Sequence, residues 1–417
     1  MLKTVTICRT VYPLRFILLL GILFSFNVFA KQSQEEYIIE RENWKAFIRL
    51  SDGTVDRYEF REHGVWKTIP FRHDRMAGPA WDGIMLAHDK KNPGSFIGEK
   101  DHILYNISYV PAQDHLIVKC SMTNTGSTPY APKQSRLILG IDSEMHAYPQ
   151  WDTKFFPTLL RCEKDFAWGY FMSPKQTIFG FTTAEPVLNN EESAEFESFH
   201  DNLLEQWGHQ IRTASLDMLH CLPLPERHPQ NLTELAPGET KCWHIHMGQI
   251  QSLPDVKSKL SEWAAVPMIE CDRYTITSKG SISVRGYSTD SISIAIKGPG
   301  IKNQKSLTTD KKGNLYTTCF RPTQKGEYKI TATTRSGKTA EARIFVRQPW
   351  SWYMKNARDF VAENQPLFSN ACETFYGYYT AFLAAKHFPD MAKDNALQER
   401  FDNTLPLIIE TQSRPPV

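Results

Sequence analysis

A carboxylate set among aromatic side chains is the first candidate for chemistry in this 417-residue chain. Glu373 stands in SNACETFYGYYTAFLAAKHFPD (369–390), beside Cys372 and ahead of Phe375 and Tyr376. An apolar surround favours the protonated carboxyl, which suits it to hand a proton to a leaving oxygen. The residue also fits a local role, because it lies three positions after Asn370, the spacing of a capping box at a helix start. Cleaving a glycosidic bond takes a second carboxylate, and the helical end of the chain offers no obvious one. Tyr376, one turn further on, is a candidate for contact with a sugar ring.

Three other groupings carry chemical potential. His209, Arg212, Glu226, Arg227 and His228 gather in WGHQIRTASLDMLHCLPLPERHPQNL (207–232). A proline-stiffened loop can present a guanidinium to a sugar carboxylate in the two-point geometry that Arg favours; the plainer reading is a solvated loop with internal ion pairs. PAWDG places Trp81 and Asp82 before Gly83. That pair can stack on and hydrogen-bond a sugar, or it can be a core tryptophan with Asp82 on the turn amides. WHIH puts His244 and His246 on one face of a strand; with no third ligand in sight no metal is expected, and no cofactor is called for.

Several kinds of element must position these groups. Residues 1–30 read as a cleavable secretory signal, with Lys3, Arg9 and Arg15, the apolar run FILLLGILFSF, and small Val28 and Ala30 before the cut. The run is too short to span a bilayer. No cysteine follows the cut at once, so a periplasmic or secreted protein with no membrane attachment is expected. Without the signal, 45 Lys and Arg face 46 Asp and Glu, a net charge near −1, which attracts neither nucleic acid nor an anionic membrane in bulk. Seven cysteines remain without CxxC spacing, and buried thiols are expected rather than a disulfide framework.

The fold class expected is mainly β. Residues 31–250 alternate apolar stretches with turn signals, as in HLIVKCSMTNTGSTPY and QTIFGFTTAEP, and read as one large antiparallel β-sandwich with a tryptophan-rich core. Residues 251–266 read as a linker helix through Val256, Leu260 and Trp263, stopped by Pro267. Residues 267–347 hold no tryptophan and alternate cleanly in SISVRGYS and SISIAIKGPG, which fits a small immunoglobulin-like β-sandwich. Helices follow over 348–417. Trp350, Met354, Ala357 and Val361 share one face of a helix opened by Pro349; Phe375, Tyr379 and Phe382 stripe a second; a shorter third runs through NALQERFDN.

This order, with WSWYMKNARDF and NACETFYGYYTAFLAAKHFPD at its end, resembles exported polysaccharide-degrading enzymes whose catalytic part is an (α/α)6 toroid, the six-hairpin glycosidases and related lyases. The resemblance implies an oligo- or polysaccharide as partner, a toroid beginning at residue 348, and sandwich loops that reach over its cleft. Twelve helices need on the order of 300 residues, whereas 68 follow residue 349. The expectation is the N-terminal portion of a glycoside hydrolase, acting on glycans that can include uronic acids, and inactive alone. A non-catalytic carbohydrate-binding or scaffold protein is the alternative.

Overall fold

Alternation of apolar and polar residues builds about half of the described residues into sheet, nearly all of it antiparallel. The computed structural model describes residues 36–71, 78–140, 156–187, 194–200, 207–219, 230–277, 279–364 and 371–413, in two units divided between Ala264 and Ala265. The signal-like segment 1–30 lies outside them.

In the first unit β1 (Glu36–Glu40), β2 (Trp44–Arg49), β3 (Val55–Glu62) and β4 (Val65–Pro70) form an antiparallel meander. There follow β5 (Ala80–Trp81), β6 (Ala87–His88), β7 (Ser95–Lys100), β8 (Ile103–Pro111), β9 (Leu116–Asn124), β10 (Ser135–Ile138), β11 (Phe156–Cys162) and β12 (Ala167–Met172). The series ends with β13 (Ile178–Thr183), β14 (Ala194–His200), β15 (Trp207–Leu219) and β16 (Thr240–Ile250). One eight-stranded sheet runs β11-β12-β13-β16-β9-β8-β7-β6, and a four-stranded one runs β14-β15-β10-β5.

The core lies where the smaller sheets press on the large one. Tyr58 of β3 stacks on Trp44 at 5.5 Å and meets Phe179 of β13 edge-on at 5.1 Å, while Trp81 of β5 meets Trp243 of β16 at 6.2 Å. Along β8 and β9 buried side chains alternate with partly exposed ones, as a sheet with one covered face requires. Strand β13 differs, for all six of its residues are buried. Its outer face is covered by α1 (Val256–Ala264), the expected linker helix, which packs on β13 and β16 through buried Leu260 and Trp263. Gly180 makes room for this: a methyl there would sit 2.4 Å from Ile250 Cδ1 and 3.1 Å from Leu260 Cδ2.

The second unit begins with a two-sheet, immunoglobulin-like sandwich. Its strands are β17 (Met268–Cys271), β18 (Thr275–Thr277), β19 (Ile282–Tyr287), β20 (Ile292–Gly298), β21 (Ile301–Ser306), β22 (Asp310–Lys312), β23 (Leu315–Phe320), β24 (Gly326–Thr334) and β25 (Thr339–Arg347). The sheets run β17-β19-β23-β22 and β18-β25-β24-β20-β21, antiparallel except for the β18–β25 pair. Helices α2 (Trp350–Glu363), α3 (Ala371–His387) and α4 (Met391–Ser413) follow. Among the described residues no helix is long and apolar enough to cross a membrane.

Three helical details depart from the sequence expectation. The buried row of α2 is Met354, Arg358 and Ala362, while Trp350 is 70% exposed. Arg358 goes inward because its guanidinium answers groups at the end of α3: Nη1 donates to Phe388 O at 2.7 Å, and Asp359, Asp390 and Asp394 surround it. Among the described side chains of α3, Tyr378 is buried and Tyr379 is not, and Tyr378 packs with Ala381, Leu397 and the edge of Phe401. The third helix is long, continuing through Pro406 to Ser413. Thr404 shares a 2.8 Å hydrogen bond with the Tyr378 hydroxyl, which pins the turn before the proline.

Candidate functional site

The expected site residues do not converge among the described side chains. Trp81 is buried: its ring packs against Trp243 and Tyr105, and Nε1 donates to Asn106 O at 3.3 Å, so it belongs to the core and not to a sugar platform. Asp82 is on the surface, where one carboxylate oxygen accepts from Arg136 Nε at 3.2 Å and Nη2 at 2.8 Å. Its partner is thus a guanidinium rather than the turn amides. His209 and Arg212 are placed on β15, and Glu373 and Tyr376 in the first turns of α3, with their side chains outside the described part; Arg227 and His228 lie outside it altogether. His244 Nδ1 is hydrogen-bonded to Glu185 Oε1 at 2.8 Å, and its backbone N–H donates to Oε2 at 2.7 Å. No group of three or more His, Cys, Asp or Glu among the described residues is arranged to hold a metal.

Among the described residues, a groove open to a ligand lies along α2 and α3. An open groove of about 620 Å³ is lined by Asn356, Asp359, Phe360 and Glu363 of α2 and by Gly377 and Thr380 of α3. Positions 356, 359, 360 and 363 recur at i, i+3, i+4 and i+7, so the helix period alone puts them on one face. Phe360 is 66% exposed. The floor at Gly377 is open, since an added methyl would find only Val361 Cγ2, at 4.0 Å. Position 373 falls in the same helix row as Gly377 and Thr380, one and two turns before them. Both described carboxylates are engaged by cations: Asp359 accepts from Arg358 Nε at 2.9 Å, and Glu363 accepts from Lys393 Nζ. Asn356 and Asn364 bind back to the helix, their Nδ2 groups donating to Trp352 O and Phe360 O. Such a surface offers hydrogen-bond acceptors beside one bare ring, which is what a sugar with polar edges and apolar faces can use.

A second polar constellation sits inside the first unit, and of its members His246 alone stood among the candidate metal ligands of the sequence. His115 Nδ1 is bonded to Asp114 Oδ1 at 2.9 Å, and His115 Nε2 faces His246 Nδ1 at 2.9 Å. Trp263 of α1 stacks on the His115 ring at 4.8 Å and donates through Nε1 to Asp114 Oδ2 at 3.2 Å, with Lys259 Nζ 3.4 Å from the same oxygen. The bond to His115 leads the influences that hold the Asp114 carboxyl well below the ordinary carboxylate range; burial opposes it, and Trp263 and Lys259 assist. Both imidazoles are buried. With α1 contributing two of its members, this chain of contacts fastens the helix to the sheet. Its sequence signal was divided: Asp114 and His115 close a hairpin, and His246 and Trp263 lie far along the chain.

No protein-family model and no curated protein matches the chain. Solved structures do. A polysaccharide lyase superposes with a TM-score of 0.63 at 13% identity, over 88% of this chain and 61% of the lyase. This chain therefore spans less than two thirds of the lyase's length. A putative aldose 1-epimerase from Escherichia coli gives a TM-score of 0.28 at 12% identity, over 52% of this chain and 99% of the epimerase. A galactose mutarotase related enzyme from Lactobacillus acidophilus gives 0.28 at 8% identity, over 54% and 100%. At such identities the first match speaks to the fold: the chain shares the architecture of that lyase over most of its length.

Proposed function

We propose that this chain is the carbohydrate-handling portion of an exported carbohydrate-active enzyme, with α2 to α4 as the first helices of its helical domain. The observation that carries the reading is the superposition on a polysaccharide lyase over 88% of the chain. The groove along α2 and α3 supports it, for its volume of about 620 Å³ falls in the range of small-ligand sites, roughly 300 to 1,000 Å³. In this reading Phe360 stacks on the apolar face of a sugar ring, and Asp359, Glu363 and Thr380 take its hydroxyls. Glu373 stands on the same helix row and is the carboxyl group nearest in role to a proton donor. In this reading cleavage needs a second carboxyl group set opposite Glu373, and the chain alone binds glycans without cleaving them.

The test is titration of the full chain with neutral and acidic oligosaccharides, followed by NMR or calorimetry, beside the Phe360→Ala variant. Phe360 is 66% exposed, so its loss leaves folding intact, and a lost stacking contact weakens binding by about 0.5–1.5 kcal/mol, roughly two- to tenfold. Absence of binding across the panel, or affinity unchanged in Phe360→Ala, overturns the reading.

A further inference from the structure

The immunoglobulin-like sandwich is far more basic than the chain that contains it. Residues 267–347 hold 15 Lys and Arg against 6 Asp and Glu, a net charge of +9, while the whole chain carries +2. Four of the six acids are taken by ion pairs inside the sandwich: Asp272 with Arg273, Glu270 with Arg285, Glu341 with Lys329 and Glu327 with Arg343. The surplus positive charge is left over, and much of it is gathered in one place. Lys297 stands on β20, Lys302 and Lys305 on β21, and Lys311 and Lys312 on β22, all of them exposed. Among the described residues none of the five has a carboxylate at ion-pair distance; Lys311 rests over the Tyr316 ring at 5.0 Å.

Topology brings these strands together. Strand β21 is one edge of the five-stranded sheet, opposite β18, and β22 is one edge of the four-stranded sheet, opposite β17. Only Leu307, Thr308 and Thr309 connect them, so the two edges begin within about 14 Å of each other. The connection is fixed at both sides, by Leu307 N donating to Ile294 O at 2.8 Å and by Thr318 Oγ1 donating to Thr308 O at 2.7 Å. One rim of the sandwich therefore presents both edges and their lysines. Lysines on an edge also discourage edge-to-edge pairing, but that role needs neither a net +9 nor Lys297, which lies on the inner strand β20. There Lys297 is directly opposite Lys329 of β24, whose own charge is met by Glu341.

We propose that this rim is a docking surface for a polyanionic glycan. Charge complementarity gives the sign of the partner. The cations on β20, β21 and β22 are all lysine, compact point charges suited to a row of carboxylates or sulfates rather than to two-point recognition of one group. Exposed Asn303, Gln304 and Ser306 stand between them as hydrogen-bonding groups. None of the three strands carries an aromatic residue, so the stacking platforms that hold single-stranded nucleic acid are missing from the rim. That the polyanion is a glycan rests on the functional reading above; that the rim binds a polyanion does not.

The experiment compares the full chain with a variant carrying Lys297→Gln, Lys302→Gln, Lys305→Gln, Lys311→Gln and Lys312→Gln. The probes are heparin, polygalacturonate, a neutral oligosaccharide, duplex DNA and vesicles of an anionic phospholipid, at about 50 and about 200 mM salt. The unsubstituted chain is expected to bind the two acidic glycans in preference to DNA and vesicles, and less well at higher salt because exposed charges are screened over roughly 10 Å. The five-fold variant is expected to keep its thermal melt and lose about tenfold or more in affinity for acidic glycans, since each exposed ion pair adds up to about a factor of five. Undiminished affinity in the variant removes the rim. Tighter binding of DNA or vesicles assigns it to another partner and overturns the glycan. Neutral-sugar binding is read separately through Phe360→Ala, so the groove and the rim fail independently.

Discussion

Replacing Asp114 with Asn tests whether the contacts from Trp263 through Asp114 and His115 to His246 hold α1 on its sheet. The carboxylate accepts from His115 Nδ1 at 2.9 Å and from Trp263 Nε1 at 3.2 Å, with Lys259 Nζ at 3.4 Å. A hydrogen bond to a charged group contributes about 1.5–3 kcal/mol. The Asp114 side chain is 48% exposed, and solvent screening reduces the net effect to about 1 kcal/mol. Asparagine keeps one acceptor oxygen but loses the charge that draws His115, Trp263 and Lys259 together. The pH dependence follows from the direction of the shift. The folded-state carboxyl lies below its ordinary value, chiefly because of His115. Its contribution is therefore complete above the unfolded value of about 3.9 and is lost as the pH falls toward the folded one. Urea unfolding of the full chain, followed by tryptophan emission, should place Asp114→Asn about 1 kcal/mol below the parent at neutral pH. The gap should narrow steadily below about pH 4. Equal stabilities at neutral pH, or a gap that persists undiminished into acid, would refute the reasoning.

Two further substitutions probe the packing. Trp81→Ala should cost about 3–5 kcal/mol, because the ring is 2% exposed and is packed between Tyr105 and Trp243; thermal melting followed by circular dichroism checks it, and a variant as stable as the parent but deficient in sugar binding would restore Trp81 as a stacking platform. Arg358→Met keeps an apolar stem but drops the bond to Phe388 O and the pairs with Asp359, Asp390 and Asp394. It should lower helical stability by about 1–3 kcal/mol, and an unchanged helical melt would show that the guanidinium does not anchor the junction of α3 and α4.

The sequence was most legible where one local rule governed a whole element. The alternation in ILYNISYVP and LIVKCSMTN became β8 and β9 with one covered face, since a period of two leaves no choice of side once one face is buried. Legibility fell where a distant element changed the environment. Strand β13 is buried on both faces because α1, more than seventy positions later, lies over it. On α2 a charged residue takes an inward position, because Arg358 answers carbonyl and carboxylate groups at the far end of α3, which no periodicity of apolar residues records. On α3 the run FYGYY supplies aromatics at neighbouring positions, and a step of one residue turns the face by about 100°. Tyr378 and Tyr379 are thus alike in sequence and opposite in burial.

The same distinction governs the candidate sites. Glu373 and Gly377 fall on one row of α3, which the helix period alone aligns, whereas Phe360 of α2 comes beside Gly377 only through the packing of the two helices. The Asp114 constellation cannot be read this way. His115 and His246 are 131 positions apart, and Trp263 is 149 from Asp114, so only the pairing of β9 with β16 and the return of α1 bring them together. The basic rim lies between these cases. Its lysines are visible as KNQK and DKK, and a count over 267–347 reveals the excess, but averaging over the whole chain reduces +9 to +2. Charge acts over about a Debye length, roughly 10 Å, so the patch a partner meets is set by which strands end up as edges, and the relevant average is taken over one face of one sandwich rather than over the chain.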